Sequence, residues 1–349
     1  MAELRVERVI TAFEQAKNKH NHPITRTAVE MKLVSAPVGG LLYSLLHLGG
    51  FPNDLAFYSG RCGGGRVLEL GCGDGRLGVH LCLGESPLTV LQQNMEGAPS
   101  PPPQQNSAAA AAAPEAYVGV ELCAPLAAKA RERLAAAPSA TVVTADFLDP
   151  LPAGEATFDA ALVSANTLFA TPSHAALLSQ CSAALKPGGV LLLDVYNALP
   201  WHPEEGEWQQ IGGEDEDDTG AGLEAEAEEE AEDEDDEPTL LVRVQDEDGR
   251  DWRVYESEPE VEAEQQKITC TYDFKEATAT STAGAGDSGG ETFSESLVHH
   301  YLLPEQLVRL LDTHGFSIDE IFGDFDEAPF EPEESEHLVV VARRRAADL

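Results

Sequence analysis

The stretch Val67–Gly78, VLELGCGDGRLG, decides how this chain is read. An apolar run ends in three glycines spaced two apart, Gly71, Gly73 and Gly75, and a helix-like segment opens behind them. A glycine turn between a strand and a helix lets backbone close around a ligand. Gly73–Gly78 satisfies G-x-G-x-x-G, which by its letters admits a dinucleotide. The register argues otherwise. Glu69 stands on the strand beside the turn, where a carboxylate repels a pyrophosphate and suits a ligand with a positive end, such as an ammonium group.

Outward from this turn, short apolar strands alternate with helical segments. RVLEL (66–70), YVGVE (117–121), TVVTA (141–145), DAALVS (159–164) and VLLLDVY (190–196) read as strands. Helices are predicted from Gly75, from Ala124 and from Ser173, and KPGG (186–189) turns the chain into the fifth strand. Strands and helices of these lengths in alternation imply parallel pairing and a sheet covered on both faces, an α/β doubly wound fold. The pattern then changes. TLLVRVQ and RDWRVYES around the turn DEDG, KITCTYDF (267–274) and SESLVHHYLL (294–303) read as four antiparallel strands. PEQLVRLLDTHGF (304–316) is a helix that opens on Pro304 and stops at Gly315, and SIDEIFGDF and HLVVVARRR close the chain as a strand pair.

Three stretches are low in complexity and are read as disordered insertions: 84–115, rich in Pro, Gln and Ala; the acidic run 204–237; and 276–291. The resulting organisation is a helical cap over 1–50, a ligand-binding half over 51–200, an inserted antiparallel lid over 201–302, and a C-terminal helix and strand pair over 303–349 that complete the main sheet.

The formal charge of −40 is extreme, but 19 of the acidic residues lie between Glu204 and Glu237. With no basic cluster beyond Arg343–Arg345, nucleic-acid binding is not expected. The acidic run is a solvated loop or a docking segment for a basic protein partner. The six cysteines form no CxxC pair, so free thiols in a reducing compartment are expected and a zinc or other metal site is not. No apolar run reaches membrane-spanning length and no targeting segment is evident, so a cytoplasmic location is expected.

Taken in order, these motifs resemble those of the class I S-adenosylmethionine-dependent methyltransferases, and in particular small-molecule enzymes that carry D-x-x-F-Y ahead of the glycine turn, here Asp54, Phe57 and Tyr58. The resemblance covers roughly 54–344 outside the insertions. Gly71 and Glu121 stand 50 positions apart, and looping out 84–115 leaves 18, close to the usual spacing of about twenty.

The resemblance implies a seven-stranded, mostly parallel Rossmann-like sheet with an antiparallel C-terminal strand, and S-adenosyl-L-methionine as cofactor. It implies that Glu69, Gly71, Cys72, Gly73 and Gly75 pass close to the methionine part, with Arg76 within reach of its carboxylate. Glu121 would hold the ribose hydroxyls, with Leu122 beside it; Asp146 and Phe147 would meet the adenine; Tyr58, Ser164 and Asn166 would abut the cofactor. On the acceptor side Tyr196, Asn197, His202, His299 and His300 fall at strand ends or in the lid, with Tyr196, His202 and His300 taken as catalytic candidates. The activity implied is methyl transfer by in-line displacement to a nitrogen or oxygen of a small molecule. Two rivals stay open: a protein methyltransferase that recruits basic substrates through the acidic run, and a cofactor-binding interaction protein without catalysis.

Overall fold

A computed structural model describes residues 53–62, 64–85, 112–151, 156–202, 239–245, 250–276 and 290–346. The helical cap predicted over 1–50, the acidic run 204–237 and most of the other two insertions lie outside the described residues.

The described chain begins with helix α1 (Asp54–Cys62), followed by strand β1 (Arg66–Leu70) and helix α2 (Arg76–Leu83). Strand β2 (Ala116–Glu121), helix α3 (Ala124–Arg133) and strand β3 (Ala140–Thr144) come next. Strand β4 (Phe158–Val163) passes through a 3-10 turn (Thr167–Ala170) into helix α4 (His174–Ala184) and strand β5 (Leu185–Tyr196). After the inserted strands, helix α5 (Pro304–Thr313) leads into β11 (Phe316–Phe322) and β12 (His337–Arg344). The main sheet has seven strands in the order β11-β12-β5-β4-β1-β2-β3, all parallel except β12, which runs antiparallel to both neighbours.

Alternation along each strand builds two apolar layers, because successive side chains leave opposite faces. Leu68, Ala161, Val163, Leu193 and Val340 join the layer beneath α4 and α5. Val67, Ala160, Leu162, Leu192 and Val339 join the layer beneath α1, α2 and α3. Each interior strand is thus apolar on both faces, as a sheet with helices on each side requires.

Two details differ from the expectation set by the sequence. KPGG is not a turn ahead of β5 but part of it: the strand starts at Leu185, and the register slips between Phe158 and Ala160, so these residues form an irregularity inside the β4–β5 pairing. The inserted sheet has five strands rather than four: β6 (Thr239–Gln245), β7 (Asp251–Glu256), β8 (Glu260–Glu262), β9 (Lys267–Glu276) and β10 (Thr292–His300). They are ordered β10-β9-β7-β6, with β8 also paired to β9. Strand β8 is three residues long, two of them Glu, too short to display a period in sequence. Trp252, Val254, Ile268, Cys270, Tyr272, Phe274 and Leu297 turn one face of this sheet into the same apolar layer as Leu193, Tyr196 and Leu307. The insertion is therefore packed onto the main sheet as a continuation of its core.

All six cysteines are free thiols. Among the described residues no helix is long and apolar enough to cross a membrane.

Candidate functional site

Strand β1 lies between β2 and β4, and the strand order reverses there, β2 and β3 being added on one side and β4 and β5 on the other. Open α/β sheets bind ligands outside the carboxyl ends of their strands at such a switch point. The glycine turn is seated there by two backbone bonds, from the Gly71 and Cys72 N–H groups to the Val120 carbonyl at 2.8 and 3.1 Å. Gly71 has φ +72°, and a Cβ on it would lie 2.7 Å from the Thr167 methyl, so the turn following β4 is pressed directly against the glycine turn. Gly73 has φ +56°, and a Cβ there would meet nothing within 4 Å. Its backbone faces open space. Gly75 ends the turn as the residue capping α2, and Cys72 is buried with its thiol against Gly119.

Glu121, at the end of β2, is 2% exposed and closes the other side of the turn. One carboxylate oxygen accepts the Gly73 N–H at 2.9 Å and the other accepts the Cys123 N–H at 2.8 Å. The next residue, Leu122, is one of the few large apolar side chains left exposed. Asp146, after β3, accepts the Leu148 N–H at 2.9 Å through one oxygen. Phe147, which the resemblance sets beside the adenine, is 2% exposed and belongs to the core layer beneath α4.

Glu69 is also buried. Tyr117 donates its hydroxyl to it at 2.5 Å and Ser164 donates from 3.4 Å. Burial raises its carboxyl to about 7, against the pull of Tyr117, Arg76 and Ser164 in the other direction. Near neutral pH this group is therefore poised between its charged and neutral forms.

Two other candidates have partners within the protein. Arg76 pairs with Asp54 of α1 at 2.5 Å, which answers its charge within the protein. Tyr58 sends its hydroxyl to Asp194 on β5. The motif pattern gives Asp194 no role, although an acid inside the apolar run VLLLDVY is a signal of a buried carboxylate with a local task. It is 1% exposed, and both of its oxygens accept the Ala165 N–H at 2.9 Å. Ala165 and Asn166 are consecutive non-glycine residues with positive φ, +59° and +57°. The Asn166 side chain accepts the Tyr196 N–H at 2.6 Å, so Asn166 ties the β4 turn to the end of β5.

Of the acceptor-side candidates, the structure assembles Tyr196 and His299. Their rings stack at 5.7 Å and 28°, and Phe169 packs edge-on to both, at 5.0 and 6.4 Å. The Tyr196 hydroxyl is buried and has no hydrogen-bond partner among the described residues. Burial holds this phenol well above its ordinary pKa, so it stays protonated.

The other histidines lie apart from this ring cluster. His300 follows His299 on β10 and therefore points to the opposite face of that strand; its carbonyl accepts His174 Nε2 at 2.6 Å. His202 meets the Tyr301 hydroxyl at 2.9 Å through Nδ1. Asn197 is committed to structure, donating to the Pro332 and Ser335 carbonyls at 2.7 and 2.9 Å.

Residues 105–189 match the family model described as a methyltransferase domain. No curated protein sequence matches. Among solved structures, an S-adenosylmethionine-dependent methyltransferase from Clostridium acetobutylicum is similar in fold, with a TM-score of 0.55 and 12% identity over 87% of this chain and 97% of that one. The CcbJ methyltransferase from Streptomyces caelestis gives a TM-score of 0.52 and 18% identity over 87% and 96%. The fold is one that these S-adenosylmethionine-dependent methyltransferases share, and the methyltransferase-domain match falls on residues 105–189 within it.

Proposed function

We propose that this chain is an S-adenosylmethionine-dependent methyltransferase that methylates a nitrogen or oxygen nucleophile of a small molecule. The observation that carries this reading is the Tyr196 hydroxyl, a polar group buried at the end of β5 between the main sheet and the inserted sheet, with no protein partner among the described residues. A buried hydroxyl left unpaired costs about 1–3 kcal/mol, which a ligand that pairs with it recovers. Enclosure by Phe169, Tyr196 and His299 suits a compact acceptor better than a polypeptide chain.

The residues around the glycine turn fit the cofactor chemically. The Glu121 carboxylate, oriented by two backbone N–H groups, has lone pairs left for two ribose hydroxyls. Exposed Leu122 offers an apolar surface for a base, and Asp146 keeps one oxygen as an acceptor for an amino group. The open space at Gly73 accepts the methionine part against bare backbone. Glu69, poised near neutrality, faces an ammonium group as a carboxylate. Bound S-adenosylmethionine supplies a methyl carbon activated by a sulfonium.

The chain's own task is alignment, since an in-line displacement gains most from fixing nucleophile and carbon on one line. Tyr196, neutral by burial, serves as a hydrogen-bonding post for the acceptor and not as a base. An amine acceptor that arrives unprotonated needs no base within the site.

The test is a transfer assay with methyl-labelled S-adenosylmethionine against a panel of small amines, small alcohols and phenols, and basic proteins, with products read by mass spectrometry. Label confined to the basic proteins would overturn the small-molecule reading.

A further inference from the structure

We infer that Asp194 is a positioning residue that sets both halves of the site through the Ala165–Asn166 turn; this inference rests on the cofactor reading of the glycine turn. Alanine is disfavoured at positive φ because its Cβ crowds the following carbonyl, and two such residues in succession persist only where surroundings hold them. The holding group is the Asp194 carboxylate. Its two oxygens take the Ala165 N–H at 2.9 Å, while the Asn166 N–H reaches the Asp194 carbonyl at 3.3 Å. The Tyr58 hydroxyl, donated from α1, keeps the carboxylate aimed.

The residues just beyond the turn give it its use. Thr167, the next residue, is pressed against Gly71, with 2.7 Å between its methyl and the place where a Gly71 Cβ would stand. Phe169, two residues further, packs on Tyr196 and His299. Relaxing Ala165 and Asn166 to the ordinary negative-φ region would swing this 3-10 turn away from its seat. The glycine turn would then lose the side chain behind it, and Tyr196 the ring beside it. Asp194 thus acts on cofactor and acceptor through backbone geometry alone.

The experiment uses the full chain in five forms: wild type, Asp194→Ala, Asp194→Asn, Tyr58→Phe, and Asp194→Ala combined with Ala165→Gly. Two readouts are taken: titration calorimetry with S-adenosylhomocysteine as probe, and amide hydrogen exchange of residues 164–171 compared with helix α5. Asp194→Ala is expected to weaken the probe at least tenfold and to speed exchange in 164–171 at least tenfold, with α5 unchanged. Asp194→Asn, which keeps an oxygen for the Ala165 N–H, should stay within about fivefold of wild type on both readouts, and Tyr58→Phe should fall between the two.

The decisive variant is the combination with Ala165→Gly. Glycine adopts positive φ without penalty, so it should recover about fivefold of the lost affinity although the carboxylate is still missing. A general structural role for Asp194 would not produce that recovery. Wild-type behaviour of Asp194→Ala, exchange raised equally in α5, or no recovery with glycine would each overturn the inference. Failure of the wild-type chain to bind the probe would instead sink the cofactor reading, and the exchange data would still decide whether the clamp exists.

Discussion

Replacing Glu69 with glutamine should stabilise the protein by about 3 kcal/mol at pH 8 and by under about 1 kcal/mol at pH 5. The carboxyl is 2% exposed, and burial raises it from an ordinary 4.5 to about 7 in the folded chain. The folded state therefore holds a proton that the unfolded state has released across that window. Stability falls with pH wherever the unfolded state binds fewer protons, so the cost of Glu69 is absent below pH 4.5 and grows until the folded group ionises near 7. At about 1.4 kcal/mol per pH unit, a displacement of this size costs about 3 kcal/mol at pH 8. Glutamine is isosteric and keeps an oxygen for the Tyr117 hydroxyl, so the cost disappears without opening a cavity.

The assay is thermal unfolding of wild type and Glu69→Gln between pH 5 and pH 8. A gain of about 3 kcal/mol corresponds to a rise in Tm of about 6 °C at pH 8, shrinking to about 1–2 °C at pH 5. The same substitution removes the anion proposed to face the ligand ammonium, so S-adenosylhomocysteine should bind wild type more tightly as pH rises through 7 and Glu69→Gln with a flat profile. A Tm difference that does not change with pH would show that the charge is already compensated in the fold and would refute the reasoning.

Further substitutions separate folding from binding. Gly71→Ala combines positive φ with overlap on Thr167 and should destabilise the protein by about 3 kcal/mol in urea unfolding; Gly73→Ala, strained in φ but free of overlap, should cost about 1–2 kcal/mol yet weaken S-adenosylhomocysteine more than tenfold in calorimetry. Glu121→Ala leaves the Gly73 and Cys123 N–H groups without their acceptor and removes the expected ribose partner, so affinity for the same probe should drop on the order of 100-fold. Tyr196→Phe deletes a buried hydroxyl that no described residue uses, so the unliganded protein should gain about 1–3 kcal/mol in urea unfolding while methyl transfer falls about tenfold in the labelled-donor assay.

Much of the glycine-turn region is legible in one dimension because it is built from backbone turns next to strands. The spacing of Gly71, Gly73 and Gly75 and an acid at the end of a strand, Glu121, are local patterns, and strand periodicity places both at the same edge of a parallel sheet. Side-chain partnership is another matter. The resemblance sets Arg76 and Tyr58 beside the cofactor, and the structure gives them partners, Asp54 and Asp194, 22 and 136 positions away in the chain. His299 and His300 are equivalent in a string of letters, and only the pairing of β10 with β9 decides which of them meets Tyr196.

By itself, then, the sequence determined the doubly wound class, the glycine turn with its two strand-end acids, and the change to antiparallel strands after β5, since periodicity and turn chemistry act over a few residues. The tertiary structure alone decided that the inserted sheet shares the main core, that the Asp194 carboxylate holds two residues at positive φ, and that the Tyr196 hydroxyl is buried with no partner among the described residues. Those outcomes depend on which chain segments exclude water from one another, and that is set by packing between residues far apart in the chain.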